Sequence, residues 1–236
     1  MVLSVLFKRD DNLTFIGSGF VTNKKGLGIS AAHNFKNHRD EFENFRIAFP
    51  SLVNPSNLYK IKILHFEYFD PINATGDDVR KRRLPFYQDL VIFRICSFKY
   101  DDFYKIQRNR PDLTDRLLVK GFHNPTHVNF QYINNQVDLS ALSTEDISLR
   151  IKHRLFSIFS SSEGDYGINP DMVELEKKYN NCMTLHLTAQ KGVSGGPVLN
   201  TRNKVIGIYL GGKQHLHYSN ILCSKYIRKK YKSMLI

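Results

Sequence analysis

Short runs in which apolar and polar residues alternate recur along the whole chain, and turn residues bound each run. This two-residue period is typical of half-buried β-strands; Ile61 and Ile63, for example, alternate with lysines. Strands do not alternate with helical segments, which excludes a parallel α/β sheet. We predict strands at about 2–7, 14–23, 27–31, 45–50, 58–69 and 89–96, and then at about 117–122, 127–138, 146–159, 183–189, 197–209 (broken by a turn at 200–203) and 217–222.

The order of these strands predicts an all-β fold made of two packed six-stranded antiparallel β-barrels with a short C-terminal helix. A polar segment at 100–115, which contains Pro111, is the expected linker. Pro170 suits the first turn of a helix over 169–181, and Ser224 can cap the last helix. We place the first barrel at 1–105, the second at 106–223 with an insertion at about 160–181, and the helix at 224–236.

Composition and charge narrow the classes of protein. Charged residues make up 24 % of the 236 residues and hydrophobic residues 42 %, which excludes a disordered chain. No apolar run approaches the ~20 residues of a membrane span. The formal net charge is +12, with basic clusters at 80–83 and 225–232. These clusters leave open an acidic protein partner, nucleic acid or an acidic membrane, beside the simpler interpretation of a basic soluble surface.

The cysteines and the first residues bear on the compartment. Cys96, Cys182 and Cys223 are widely scattered and have no metal-ligand spacing, which argues against a disulfide framework. The apolar run at 2–7 is shorter than the ~7–15 residues of a signal core, and its positive charges follow it. We therefore expect a cytoplasmic protein, with no metal and no cofactor.

The strongest chemical motif is the segment 192–197, GVSGGP. A serine hydroxyl is a poor nucleophile until a base removes its proton, and the developing oxyanion needs N–H donors. Glycines around Ser194 allow a tight turn that points the amides of Gly192 and Ser194 in one direction. A glycine-rich hairpin with a buried serine is the alternative interpretation of this segment taken alone.

Two further residues complete a predicted catalytic triad. His33 follows two alanines at a strand end, and such small neighbours leave room for its ring to face a cleft. Asp89 opens an apolar strand, where it can accept a hydrogen bond from an imidazole N–H. Either residue alone has an ordinary explanation, as a surface histidine or a strand-start aspartate. Together with Ser194, in the order His, Asp, Ser, they predict nucleophile, base and orienting carboxylate.

The stretches around these residues resemble the trypsin-like (chymotrypsin-fold) serine peptidases. They are SAAHNF around His33, DLVIFRI from Asp89 and GVSGGPV around Ser194. GSGFV before the histidine and VKGFHNP at 119–125 are similar to bacterial members, and the tail from VIGIYLGG through the last helix resembles bacterial glutamyl endopeptidases. The resemblance implies a site in the cleft between two barrels, with His33 and Asp89 on the first and Ser194 on the second.

The same resemblance implies positions for substrate recognition. Thr188 is expected near the base of the primary specificity pocket, and Tyr209 stands where glutamyl endopeptidases have a glutamate-binding histidine. Because no carboxylate is among these residues, we expect poor cleavage after Arg or Lys. Lys191 favours acidic substrates, or is a surface loop residue. The predicted substrate-binding residues are Thr188, Lys191, Tyr209, Gly211, Gly212 and Ser219, the two glycines lying on the strand that pairs with substrate backbone.

The leading hypothesis from the sequence is a serine endopeptidase of narrow specificity that acts on protein or peptide substrates through an acyl-enzyme. The alternatives are a catalytically silent binding module of the same fold, and a basic-surface protein that also binds nucleic acid or acidic membranes.

Overall fold

A computed structural model describes residues 1–10, 12–49, 58–69, 88–98, 101–108, 116–123, 158–166, 181–186, 192–213 and 218–232. The fold is mostly β. The first six strands, all antiparallel, form a closed barrel in the order β1-β2-β3-β6-β5-β4, because β4 also pairs with β1. They are β1 (Val2–Arg9), β2 (Asn12–Val21), β3 (Leu27–Ser30), β4 (Phe45–Ala48), β5 (Tyr59–Phe69) and β6 (Gln88–Ile95).

The second half of the chain adds a further antiparallel sheet. Its pairing order is β10-β11-β12-β9-β8-β7, and β10 also pairs with β7 through Val198 and Val119. Its strands are β7 (Arg116–His123), β8 (Ile158–Tyr166), β9 (Cys182–His186), β10 (Pro197–Asn200), β11 (Val205–Lys213) and β12 (Tyr218–Cys223). A helix, α1 (Ser224–Lys232), follows the sheet.

Strand β1 shows how the core holds the two halves together. Its first six residues are all buried, because the strand is covered on both faces. Leu3 and Val5 lie in the apolar interior of the first barrel. Val2 and Leu6 belong to a second cluster that also contains Leu199 and other side chains from the second half. The β1 side chains therefore contribute to the barrel core and to the contact between the two halves.

The segment that joins the halves is packed against both of them. The Tyr104 amide donates to the Val21 carbonyl of the first barrel at 2.9 Å. Ile106 forms a bridge with Val205 of the second sheet. Burial raises the pKa of the Tyr104 hydroxyl to about 12. Residues 101–108 of the predicted linker are therefore an ordered part of the contact between the halves.

Helix α1 is attached to the first barrel by a partly buried acidic residue of β5. Glu67 accepts a hydrogen bond from the Tyr226 hydroxyl and lies 2.8 Å from Lys230 Nζ. The His65 ring is also close, with Nε2 at 3.1 Å from the Glu67 carboxylate. Ile227, on the same helix, is fully buried in the cluster shared by the two halves. The helix that ends the second half is therefore an anchor on the first.

The six strands predicted for the first half are confirmed, with bounds that differ by a few residues. In the second half, residues 158 and 159 of the strand expected at 146–159 lie in β8, and the rest of that predicted strand lies outside the described residues. β8 also extends over residues 160–166, which the sequence did not predict as strand. The predicted strand 127–138 and nearly all of the insertion helix at 169–181 lie outside the described residues. The basic cluster 80–83 also lies outside them. Among the helices that the structure describes, none is long and apolar enough to cross a membrane.

Candidate active site

Asp89 and His33 form a close pair in the first barrel. Asp89, the second residue of β6, is fully buried, and its Oδ2 lies 2.7 Å from His33 Nδ1. Its other oxygen accepts the backbone amide of His33 at 2.8 Å. A carboxylate offers acceptors only, so Nδ1 carries the proton and Nε2 keeps its lone pair. The two bonds fix both the position and the tautomer of an imidazole that is 26 % exposed.

The histidine lies on a short 3-10 turn, Ala32–Asn34, just after β3. Ala31 and Ala32 are completely buried, so the backbone here packs closely and only the imidazole reaches the surface. A segment of short 3-10 turns, Lys36–Asn44, follows, interrupted by non-helical backbone at His38 and Glu41. Its polar sequence carries no helical period, and sequence analysis did not predict it.

The loop that carries Ser194 depends on its glycines. Gly192 and Gly195 have φ of 106° and 91°, values that L side chains rarely adopt. The Gly195 amide donates to the Tyr209 carbonyl at 2.8 Å, and the Gly196 amide to the Val193 carbonyl at 2.9 Å. Among the described residues, the amides of Gly192 and Ser194 donate to no other group. The prediction that these two N–H groups bind the oxyanion of the reaction stays a prediction.

Ser194 lines the same cavity as the histidine. His33, Gly192 and Ser194 all line a cavity of about 630 Å³. Ser194 Oγ makes its hydrogen bond to the Leu210 carbonyl, at 3.4 Å, and not to His33. A Cβ placed on Gly211 would lie 3.7 Å from Ser194 Oγ, so the backbone of β11 passes directly beside the nucleophile.

Ser18, on β2 of the first barrel, holds the Ser194 loop from the opposite side. Its amide donates to the Ser194 carbonyl and its hydroxyl to the Gly192 carbonyl, both at 2.9 Å. The same hydroxyl accepts the Phe122 amide at 2.7 Å. Sequence analysis did not single out Ser18. Ser18 stands between two glycines in GSGFV, a segment that belongs to the resemblance, and this position is the one feature of the sequence that could have pointed to it.

Asn34 supports the loop beside Ser18. Its side-chain amide donates to the Ser194 carbonyl at 2.9 Å and to Ser30 Oγ at 3.3 Å. A Cβ on Gly17 would collide with this amide group, so the glycine provides the space that Asn34 occupies. Sequence analysis also missed Asn34, although it directly follows His33. Two residues of the first barrel therefore bind the carbonyl of the candidate nucleophile.

The residues predicted to bind substrate are only partly described. Thr188 and Lys191 lie outside the described residues. Tyr209 is 2 % exposed and Ser219 is 1 % exposed, and their hydroxyl oxygens lie 3.0 Å apart. Gly211 and Gly212 lie on β11, paired with Asn220 and Ser219 of β12.

The fold is similar to that of a solved serine endoprotease from Yersinia pestis. The TM-score is 0.59 at 14 % sequence identity, and the alignment covers 98 % of this chain and 61 % of that protein. The chain thus spans less than two thirds of the length of the structure it matches. At this identity the similarity shows a protease-like fold. No family model and no curated protein sequence matches the chain.

Proposed function

We propose that the chain is a serine endopeptidase that cleaves protein substrates through an acyl-enzyme intermediate. The observation that carries this proposal is the pair of bonds from buried Asp89 to His33, in a cavity that Ser194 also lines. A catalytic base needs a fixed tautomer with its free nitrogen accessible, and this pair provides both.

The reaction follows from these groups. The Ser194 hydroxyl exchanges its bond with the Leu210 carbonyl for one with His33 Nε2, which takes the proton as Oγ attacks the substrate carbonyl carbon. The amides of Gly192 and Ser194 bind the oxyanion. His33 then gives the proton to the leaving amine, and the C–N bond breaks. Water, deprotonated by His33, attacks the acyl-serine ester, and Ser194 recovers its proton when that ester breaks.

The finer features of the resemblance belong to the same proposal. We interpret the second sheet as the second barrel of this fold, because β10 pairs back with β7. We keep the domain bounds 1–105, 106–223 and 224–236, with the nucleophile in the second domain and glutamyl endopeptidases as the class most similar to its C-terminal part. An acidic or nucleic-acid partner remains a prediction.

One observation favours a second candidate, a catalytically silent binding module. The Ser194 hydroxyl bonds to Leu210 instead of His33. In an active enzyme this is one rotamer of a mobile hydroxyl, whereas in a silent module it is the permanent state.

A fluorophosphonate probe decides between the two, since it reacts only with an activated serine. We expect covalent labelling of the wild-type chain at Ser194, seen by intact mass, and none in Ser194→Ala. Ser160→Ala, on β8, is the matched control and should label normally. If the wild-type chain remains unlabelled and cleaves no peptide in a diverse library, the peptidase proposal is wrong and the silent module stands.

A further inference from the structure

The cavity beside Ser194 extends along the first barrel. Apart from Gly192 and Ser194, its described lining comes from β1, β2, the turn between them and the segment that carries His33. Of the residues predicted for the primary pocket, Tyr209 and Ser219 do not line this cavity, and their hydroxyl oxygens lie 3.0 Å apart on β11 and β12. The open space therefore lies on the histidine side of the nucleophile.

The chemistry of acyl transfer tells which part of a substrate lies there. The leaving amine must receive its proton from His33, so the residues after the scissile bond pass beside the imidazole. The acyl part lies along the Gly211 side of Ser194, where β11 offers backbone for pairing. A side chain in the cavity therefore belongs to the leaving group.

Three apolar side chains, Phe7, Phe15 and Ile16, line the cavity. Phe7 and Phe15 are 5 % and 8 % exposed, and half-buried Ile16 lies next to them. The Phe7 ring stacks on the His38 ring with centroids 3.9 Å apart, which holds this wall in place. An apolar side chain of a substrate that is buried against these walls leaves water, and this favours its binding.

The charges at the rim do not favour an acidic ligand. Arg9 is the cation of the lining, but its Nη2 is 2.9 Å from Glu41 Oε1. Asp10 lines the same rim and adds a negative charge. With its cation paired and a carboxylate nearby, the cavity has no excess positive charge to attract Asp or Glu.

We propose that this cavity is a specificity pocket for an apolar side chain, aromatic or long aliphatic, at the first or second residue after the scissile bond. The inference rests on the proposed peptidase function. Its volume, about 630 Å³, lies within the usual range of roughly 300–1,000 Å³ for ligand sites. The leaving group would then contribute directly to substrate selection.

Partitioning of the acyl-enzyme tests this pocket separately from bond cleavage. The enzyme is acylated with an activated ester, and amino-acid amides then compete with water for the acyl group. We expect phenylalanine and leucine amides to capture it about 10-fold more efficiently than serine or glutamate amides. A preference for glutamate amide, or no preference, overturns the inference. If no acyl-enzyme forms at all, the proposed function itself fails, which is a different and visible result.

Variants locate the selectivity within the cavity. Ile16→Ser should reduce the preference for phenylalanine amide about 5- to 10-fold and leave capture by serine amide unchanged. Ile63→Ser, the same change at a partly buried β5 residue outside the cavity, should keep the preference. Phe15→Ala should act like Ile16→Ser if it folds, which its unfolding curve reports. An unchanged preference in folded Ile16→Ser places the selectivity elsewhere and overturns the assignment.

Discussion

The hydroxyl of Ser18, in the first barrel, lies 2.9 Å from the carbonyl oxygen of Gly192, in the loop of the nucleophile. A hydroxyl has one proton to donate, and this carbonyl is nearer than its other acceptor, the Phe122 carbonyl at 3.2 Å. The bond sets the orientation of the peptide that follows Gly192. One side chain of the first barrel thus fixes the backbone next to a predicted oxyanion donor of the second half.

Replacement of Ser18 by alanine should lower turnover more than substrate affinity. The Phe122 amide would lose its acceptor and the Gly192 carbonyl its donor, which costs about 1–3 kcal/mol of folding free energy for a buried group. We expect kcat to fall about 10- to 100-fold with little change in KM, less than the ~10²–10³-fold loss when an oxyanion donor is removed outright. Steady-state kinetics and urea unfolding measure the two effects.

Ser4→Ala is the matched control for this experiment. Ser4 is buried in the same barrel and donates to the Ala48 carbonyl at 3.3 Å, outside the cavity. The Ser4→Ala variant should be less stable than the wild type and should have the same kcat. Equal kcat in the two variants would mean that the Ser18 hydroxyl has only a structural role.

Asp89→Asn should nearly abolish turnover while the fold persists. The amide can donate to Nδ1, which stabilises the tautomer with the proton on Nε2, and that nitrogen then cannot act as base. A loss of about 10⁴ in kcat is expected, with KM changed far less. Hydrolysis of an ester substrate measures it. Activity within 10-fold of the wild type would exclude Asp89 from the proposed role.

Gly195→Ala should destabilise the protein through two separable effects. A non-glycine residue at φ of 91° costs about 1–2 kcal/mol, and the new methyl group would also collide with the Ser18 carbonyl and Ser30 Oγ. We expect a total of about 2–5 kcal/mol in the free energy of unfolding. Gly211→Ala, at φ of 111°, has only Ser194 Oγ at 3.7 Å and should show the backbone part alone. Equal losses of stability in the two variants would mean that the collision with Ser18 and Ser30 contributes nothing.

The contacts of Glu67 predict a stability difference that depends on pH. Burial disfavours its charge, but the nearby groups of His65, Lys230 and Tyr226 outweigh this and lower its pKa below the ordinary 4.5. A carboxyl whose pKa is lowered by folding stabilises the fold above about pH 4.5. That contribution disappears as the pH falls through the lowered value.

Glu67→Gln should therefore be less stable than the wild type by about 1–3 kcal/mol at pH 7, since a charge-assisted contact is lost. The difference should hold down to about pH 5 and shrink in more acidic buffer. Urea unfolding across this range measures it, with Glu43→Gln as an exposed-carboxyl control. A gap that stays constant down to pH 3 would contradict the electrostatic origin.

Cleavage after Arg or Lys should be poor. Tyr209 and Ser219 contribute hydroxyl groups and no carboxylate, and an unpaired buried charge is costly. Small, polar or uncharged residues should be preferred before the cut, with acidic residues next. A positional-scanning peptide library measures this order. If Arg or Lys dominates, an acidic residue outside Tyr209 and Ser219 reaches the pocket; alanine replacement of Glu163 and of Asp165 tests the two candidates.

The sequence predicted the six strands of the first barrel and the His33–Asp89 pair because their signals are local. Alternation reveals a half-buried strand, and an aspartate that opens an apolar strand is conspicuous on its own. Ser18 carries no such signal, because its hydroxyl partners lie 104 and 174 residues away along the chain. Only the closed ladder of the first barrel, packed on the second sheet, brings them together.

The extension of β8 beyond residue 159 was missed for a related reason. Its sequence, IFSSSEGDY, is mostly polar and has no apolar period after Phe159. Eight paired residues with β7 make it a strand, from Arg116 opposite Asp165 to His123 opposite Ile158. Pairing with the edge of a neighbouring strand can hold a segment in an extended conformation even when its own residues have no preference for a strand.

Helix α1, bound to Glu67 of the first barrel, is also the element of the described fold that leaves the ribosome last. The Asn34 and Ser194 that meet at the loop are separated by 160 residues. At about 5–20 residues per second, roughly 8–32 s pass between their synthesis. For the part of that interval that follows the synthesis of Asp89, the nascent chain holds a histidine–aspartate pair without its serine. If the chain is a peptidase as proposed, the nascent chain therefore has no nucleophile with which to attack neighbouring proteins until Ser194 has been made.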